Sequence, residues 1–181
     1  MLLVVAATEA ELRGAGAAGL VCGIGPVEAA LATARALAER PVDAVLHVGI
    51  AGAREIEPPA LVLGSESVYC DVVDPAFTMA RVERVAPDPE LLAAARAALP
   101  DARVLPIATS GRVGGGAGFE VEAMEGFGVL RAAAIAAVPA VELRAISNAF
   151  DEADRTAWRI DEALDALAAA VERLVAALSH P

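Results

Sequence analysis

Residues 20–52 read LVCGIGPVEAALATARALAERPVDAVLHVGIAG. A short apolar run, 20–22, ends in Gly23-Ile24-Gly25. Pro26 follows, suited to the first position of a helix because its missing N–H would be unpaired there anyway. The Ala- and Leu-rich stretch 27–39 predicts that helix. The apolar run 42–48 predicts a second strand, closed by Gly49-Ile50-Ala51-Gly52. Strand, helix and strand in such close succession signal a parallel sheet with crossover helices.

The same alternation runs outward in both directions. Residues 2–6 predict a buried strand, followed by a short helix carrying Glu9 and Glu11. Residues 61–63 and 67–73 predict one bent ribbon, 81–85 an edge strand, and 103–108 and 141–146 further strands. Helices are predicted over 89–99, 124–138 and 155–179; the last carries Trp158, Leu164, Leu167, Val171, Leu174, Val175 and Leu178 as its apolar stripe. Five glycines from Gly111 to Gly118 predict a mobile loop. No repeat or linker divides the chain. The expectation is one α/β domain over residues 1–181, with a central mixed, largely parallel sheet between two layers of helices.

Composition excludes several functions. The 181 residues are 57% apolar and only 3% aromatic, so the core is built from Ala, Val, Leu and Ile. All 14 basic residues are Arg against 25 acidic ones, a net charge of −11. Without Lys there is no P-loop and no Schiff-base chemistry. A chain this acidic and poor in rings is unsuited to nucleic acid. Cys22 and Cys70 form no CxxC pair, and two His make no histidine-based zinc site. The N-terminus has no basic region before its apolar stretch, and residues 132–141 are too few to span a bilayer. These features predict a cytoplasmic protein with reduced cysteines, no metal and no cofactor.

Strand ends carry the polar chemistry. Gly23-Ile24-Gly25 lacks the third glycine of a dinucleotide fingerprint, since Glu28 stands in its place. Glu11 fits either a charge complementing a helix N-terminus or a reactive carboxylate. Glu125, at the change from strand to helix, fits a first-turn charge or a binding group, and Met124 beside it fits core filler or a ligand contact. Asn148 fits a turn residue or a bidentate partner for a base edge, because its amide offers one acceptor and two donors. His47 reads as a satisfied histidine near a strand end.

Taken together, these blocks resemble the nucleosidases related to purine nucleoside phosphorylase. Residues 7–12 (ATEAEL) are similar to that family's first-strand loop, and 22–27 (CGIGPV) and 48–52 (VGIAG) to its glycine turns. Met124-Glu125-Gly126 and residues 144–148 (RAISN) are similar to its ribose and base motifs. Within the family, 122–128 (EAMEGFG) and Asn148 followed by 154–160 (DRTAWRI) resemble the branch acting on futalosine in menaquinone biosynthesis.

The resemblance implies hydrolysis of an N-ribosidic bond through an oxocarbenium-like transition state. Glu11 is then the general base on water, and Asn148 holds the departing base. Met124, Glu125, Gly25, Gly49, Ile50 and Phe119 are then the substrate contacts, with a purine nucleoside as substrate. Asn148 favours hypoxanthine: its amide can donate to O6 while its carbonyl accepts from a protonated N7. The N7 proton comes from water or Asp151. An Arg should pair with the carboxyphenyl end of futalosine. Glu9 and Glu11 in the first loop oppose a phosphate nucleophile. The competing readings are a methylthioadenosine/S-adenosylhomocysteine nucleosidase and a non-catalytic nucleoside-binding protein. The high apolar content further predicts a homo-oligomer.

Overall fold

Strand β1 (Leu2–Ala6) is buried along its whole length, and both its faces are covered. Leu3 and Val5 pack with residues of helices α1 (Pro26–Glu39) and α3 (Gly126–Ile135). Leu2, Val4 and Ala6 pack with α2 (Pro89–Ala98) and α4 (Ile160–Leu178). The sheet therefore lies between two helical layers, as expected. The computed structural model describes residues 1–16, 19–72, 82–116, 118–150 and 152–179.

Strands β2 (Gly19–Val21), β1, β3 (Ala44–Ala53) and β8 (Ala140–Ala149) run parallel, neighbour to neighbour. β8 also pairs antiparallel with β4 (Leu61–Tyr69), which lies parallel to β6 (Arg103–Thr109). β7 (Val121–Ala123) joins β6 to the far end of β3, so the sheet curls back on itself. β5 (Arg84–Val85) pairs with β4. The sheet is mixed and largely parallel.

Several element limits differ from expectation, each for a local reason. The bent ribbon is one strand, β4, whose register with β6 shifts between Gly64 and Glu66. Residues 73 and 81, expected in strands, lie outside the described residues. β3 does not stop at Val48, and β8 does not stop at Ile146: both continue where the sheet curls, so Gly49, Gly52, Ser147 and Asn148 are strand residues. α3 begins only at Gly126, because 121–123 pair as β7 and Glu125 caps the helix with φ −120°. It ends before Ala137, which takes φ 55° ahead of Pro139.

The last helix is interrupted where the site needs it to be. Arg155–Ala157 form a separate 3-10 turn, capped by Asp154 through the Thr156 N–H. Trp158 Nε1 donates to Glu152 O at 3.1 Å, and Arg159 N donates to Ser147 O at 2.8 Å. These bonds hold Trp158 out of α4. Among the described residues no helix is long and apolar enough to cross a membrane.

Candidate active site

The 3-10 turn Glu9–Leu12 follows β1 and brings Glu11 back over the sheet. Glu11 Oε2 accepts from Thr8 N at 2.9 Å and Thr8 Oγ1 at 2.7 Å; Oε1 accepts from Ile50 N at 3.0 Å. The carboxylate thus caps its own turn and is tied to β3, while lining a cavity of about 530 Å³. Oε1 keeps a second lone pair for a ligand. The two roles that compete in the sequence coexist in one side chain.

Glu125 reaches the same cavity from the cap of α3. Its Oε1 accepts from Gly25 N at 3.0 Å. Gly25 holds φ 97°, a left-handed conformation that glycine adopts without strain and that aims its N–H at the carboxylate. Oε2 lies 3.6 Å from Arg144 Nη1. Burial pushes the Glu125 carboxyl above its ordinary value, with Arg144 and the Gly25 amide opposing the shift.

Beneath the floor lies a fully buried polar layer. Glu142 and Arg144 are two apart on β8, opposite His47 and Gly49 on β3. Arg144 Nε donates to Glu142 Oε1 at 2.9 Å, and Ser67 Oγ donates to Glu142 Oε2. His47 Nδ1 contacts Val5 O at 2.9 Å, so the tautomer with that proton leaves Nε2 to accept from Arg144 Nη2. Burial and the neighbouring guanidinium hold His47 well below its ordinary value, and it stays neutral. Burial alone would lower the Arg144 guanidinium; the Glu142 and Glu125 carboxylates outweigh it, and the net shift is upward. A Cβ on Gly49 would stand 2.2 Å from Arg144 Nη1 and 2.9 Å from Glu11 Oε1, so glycine is required there.

Asn148 lines the same cavity. Nδ2 donates to Ala149 O at 2.9 Å, and Oδ1 accepts from Ser147 Oγ at 2.8 Å. A carbonyl oxygen only accepts, so the Ala149 oxygen facing Nδ2 fixes the amide orientation. Among the described residues, one N–H and one carbonyl lone pair of Asn148 have no partner.

The structure brings Glu11, Asn148, Met124, Glu125 and Ile50 to one cavity. Gly25 and Gly49 support it from behind through Glu125 and Arg144. Phe119 is not among the residues lining that cavity: the Arg84 guanidinium lies 6.0 Å from its ring, and its carbonyl accepts from Arg54. Asp151 lies outside the described residues. Within the glycine-rich stretch, Gly114 N and Gly116 N donate to Glu122 and Gly111 N donates to Asp71. Glu122, Arg155 and Trp158 line the cavity without having been singled out as site residues. Glu142 and Arg144 carried a usable signal: two charges inside an apolar strand must find partners or unfold it. Among the described residues no cluster of His, Cys, Asp or Glu is placed to hold a metal ion.

A family model for the phosphorylase superfamily matches residues 10–180. A futalosine hydrolase of Streptomyces coelicolor is 39% identical, the match covering 88% of this chain and 78% of that protein. A futalosine hydrolase of Thermus thermophilus is 32% identical, covering 91% of this chain and 84% of that protein. The chain belongs to the phosphorylase superfamily and, within it, to the family of these two hydrolases. Among solved structures, the 5'-methylthioadenosine/S-adenosylhomocysteine nucleosidase of Neisseria meningitidis in complex with methylthio-immucillin-A is 25% identical. It superposes with a TM-score of 0.81 over 98% of this chain and 97% of that one.

Proposed function

We propose that residues 1–181 form one domain that hydrolyses the N-ribosidic bond of futalosine, releasing hypoxanthine and dehypoxanthine futalosine in menaquinone biosynthesis. The observation that carries this reading is the free donor and acceptor of Asn148, in one cavity with Glu11 and Glu125. The two hydrolases that share its family support it.

Glu11 Oε1 takes the proton of the attacking water, and the oxygen adds to C1' as the bond to the base breaks. Glu125 accepts hydrogen bonds from the ribose hydroxyls, and Met124 packs on the sugar. Asn148 Nδ2 donates to O6 of the base and Oδ1 accepts from protonated N7, whose proton is supplied by water. An adenine presents a donor at position 6, against the fixed Asn148 N–H. Arg13, the nearest cation in sequence, is engaged by Asp165 at 3.0 Å, which favours water over phosphate as nucleophile. Free Cys22 and Cys70 support a cytoplasmic setting. Exposed Val21, Ile24, Val27 and Leu31, close together in sequence, support a homo-oligomer.

Base release in phosphate-free buffer, read by chromatography, tests the reading. Hypoxanthine from futalosine, with little adenine from methylthioadenosine, is the expected result. The structural likeness to the Neisseria nucleosidase favours the second reading, and adenine as the main product would establish it instead. No base from either would indicate a binding protein.

The acid side of the pH profile follows from Glu125. Its raised value means that it takes up a proton, as pH falls, earlier than a free carboxyl of ordinary value 4.5. Protonated, it loses an acceptor for the ribose. The acid limb of kcat/KM is expected to have its midpoint above 4.5. A midpoint at or below that value would remove Glu125 from this role.

A further inference from the structure

The cavity of about 530 Å³ is lined by more than the three polar side chains assigned to base and ribose. Besides Glu11, Glu125 and Asn148 it is lined by Ile24, Trp158, Ile160 and Leu164, and by Arg155. Two arginines lie four residues apart here, and their surroundings differ. Arg159 is held by Glu162, Nε to Oε1 at 2.8 Å and Nη2 to Oε2 at 2.5 Å. Arg155 has no carboxylate partner among the described residues; its guanidinium lies 5.4 Å from the centre of the Trp158 ring. The adjacent Asp154 is spent on Thr156, accepting from N at 2.9 Å and Oγ1 at 2.7 Å.

We propose that Arg155 and Trp158 form a clamp for a carboxylate carried on an apolar or aryl arm of the nucleoside. The inference rests on the nucleosidase reading above, which assigns base and ribose to Asn148, Glu11 and Glu125. Elsewhere the cavity wall is anionic, with Glu11, Glu122 and Glu125, and a chain of net charge −11 repels an acidic ligand. Arg155 is the one cation among the described cavity-lining residues. Its planar fork matches a carboxylate in two hydrogen bonds, while the indole face and the aliphatic wall take the arm. The site thereby selects nucleosides with an anionic substituent and rejects neutral ones of the same shape.

The test compares futalosine with its neutral carboxamide analogue in the wild type, Arg155→Ala and Arg155→Lys. Arg155 is exposed, so Arg155→Ala is expected to fold. A hydrogen-bonded charge contact corresponds to about a 10- to 100-fold preference. The ratio of kcat/KM for futalosine over the carboxamide is expected to fall by about that factor in Arg155→Ala, through KM rather than kcat. Arg155→Lys is expected to recover part of the ratio. An unchanged ratio in Arg155→Ala, with futalosine still hydrolysed by the wild type, overturns the clamp alone. A wild type that releases no hypoxanthine from futalosine overturns the nucleosidase reading, and the clamp with it.

Discussion

Replacing Glu11 by Gln is expected to lower kcat for hypoxanthine release by about 10²–10⁴-fold, the range for loss of a positioned general base. The substitution keeps the length of the side chain and its place on β3, since a Gln carbonyl still accepts from Ile50 N. It removes the negative charge and the basic lone pair. The same carboxylate also accepts from Thr8 N and Thr8 Oγ1, so a purely structural role predicts a different outcome. Loss of the cap would loosen the 3-10 turn Glu9–Leu12 and cost about 1 kcal/mol. A loosened turn raises KM, whereas loss of the base lowers kcat with KM nearly constant. Steady-state kinetics on futalosine separates the two. A raised KM with undiminished kcat would assign Glu11 to the cap only.

How much of this was legible in the sequence depends on what each signal is made of. β1, α1 and the strand through Val45 read clearly, because a strand buried on both faces is a continuous apolar run. The limits of β3 and β8 did not. Gly49, Gly52 and Asn148 look like turn residues, yet the curled sheet keeps them in register. Their composition reflects close approach: a Cβ on Gly52 would stand 3.1 Å from Asn148 Nδ2. Trp158 reads as part of the stripe of the last helix because its apolar character continues that pattern. Nothing local says that its indole N–H will be claimed by Glu152 O. Glu11, Met124, Glu125 and Asn148 stood out as polar or soft groups at strand ends, which is where a sheet of this kind opens its cavity. Arg155 did not stand out from the other arginines, because its lack of a partner depends on where Glu162 and Asp154 point.

The second large effect is on stability. Arg144 is fully buried and joins three groups that would otherwise be buried with fewer partners: Glu142, Glu125 and the neutral ring of His47. Arg144→Met keeps an apolar stem of similar length and deletes the fork. Glu142 is then left with Ser67 as its hydrogen-bond partner, and Glu125 with Gly25 N. Breaking a buried pair from one side costs about 3–5 kcal/mol, because the remaining charge is uncompensated. That is a large part of the total for an ordinary domain. Urea unfolding of Arg144→Met is therefore expected to show an unfolding free energy lower by that amount, read as a lowered midpoint at an unchanged slope. Adding Glu142→Gln removes the stranded charge, so the double variant is expected to be more stable than Arg144→Met alone. It is expected to stay impaired in base release, since Glu125 has still lost its cation. If the single variant matched the wild type in stability, the layer would contribute nothing net to the fold. Its role would then be confined to holding Glu125 charged and in place.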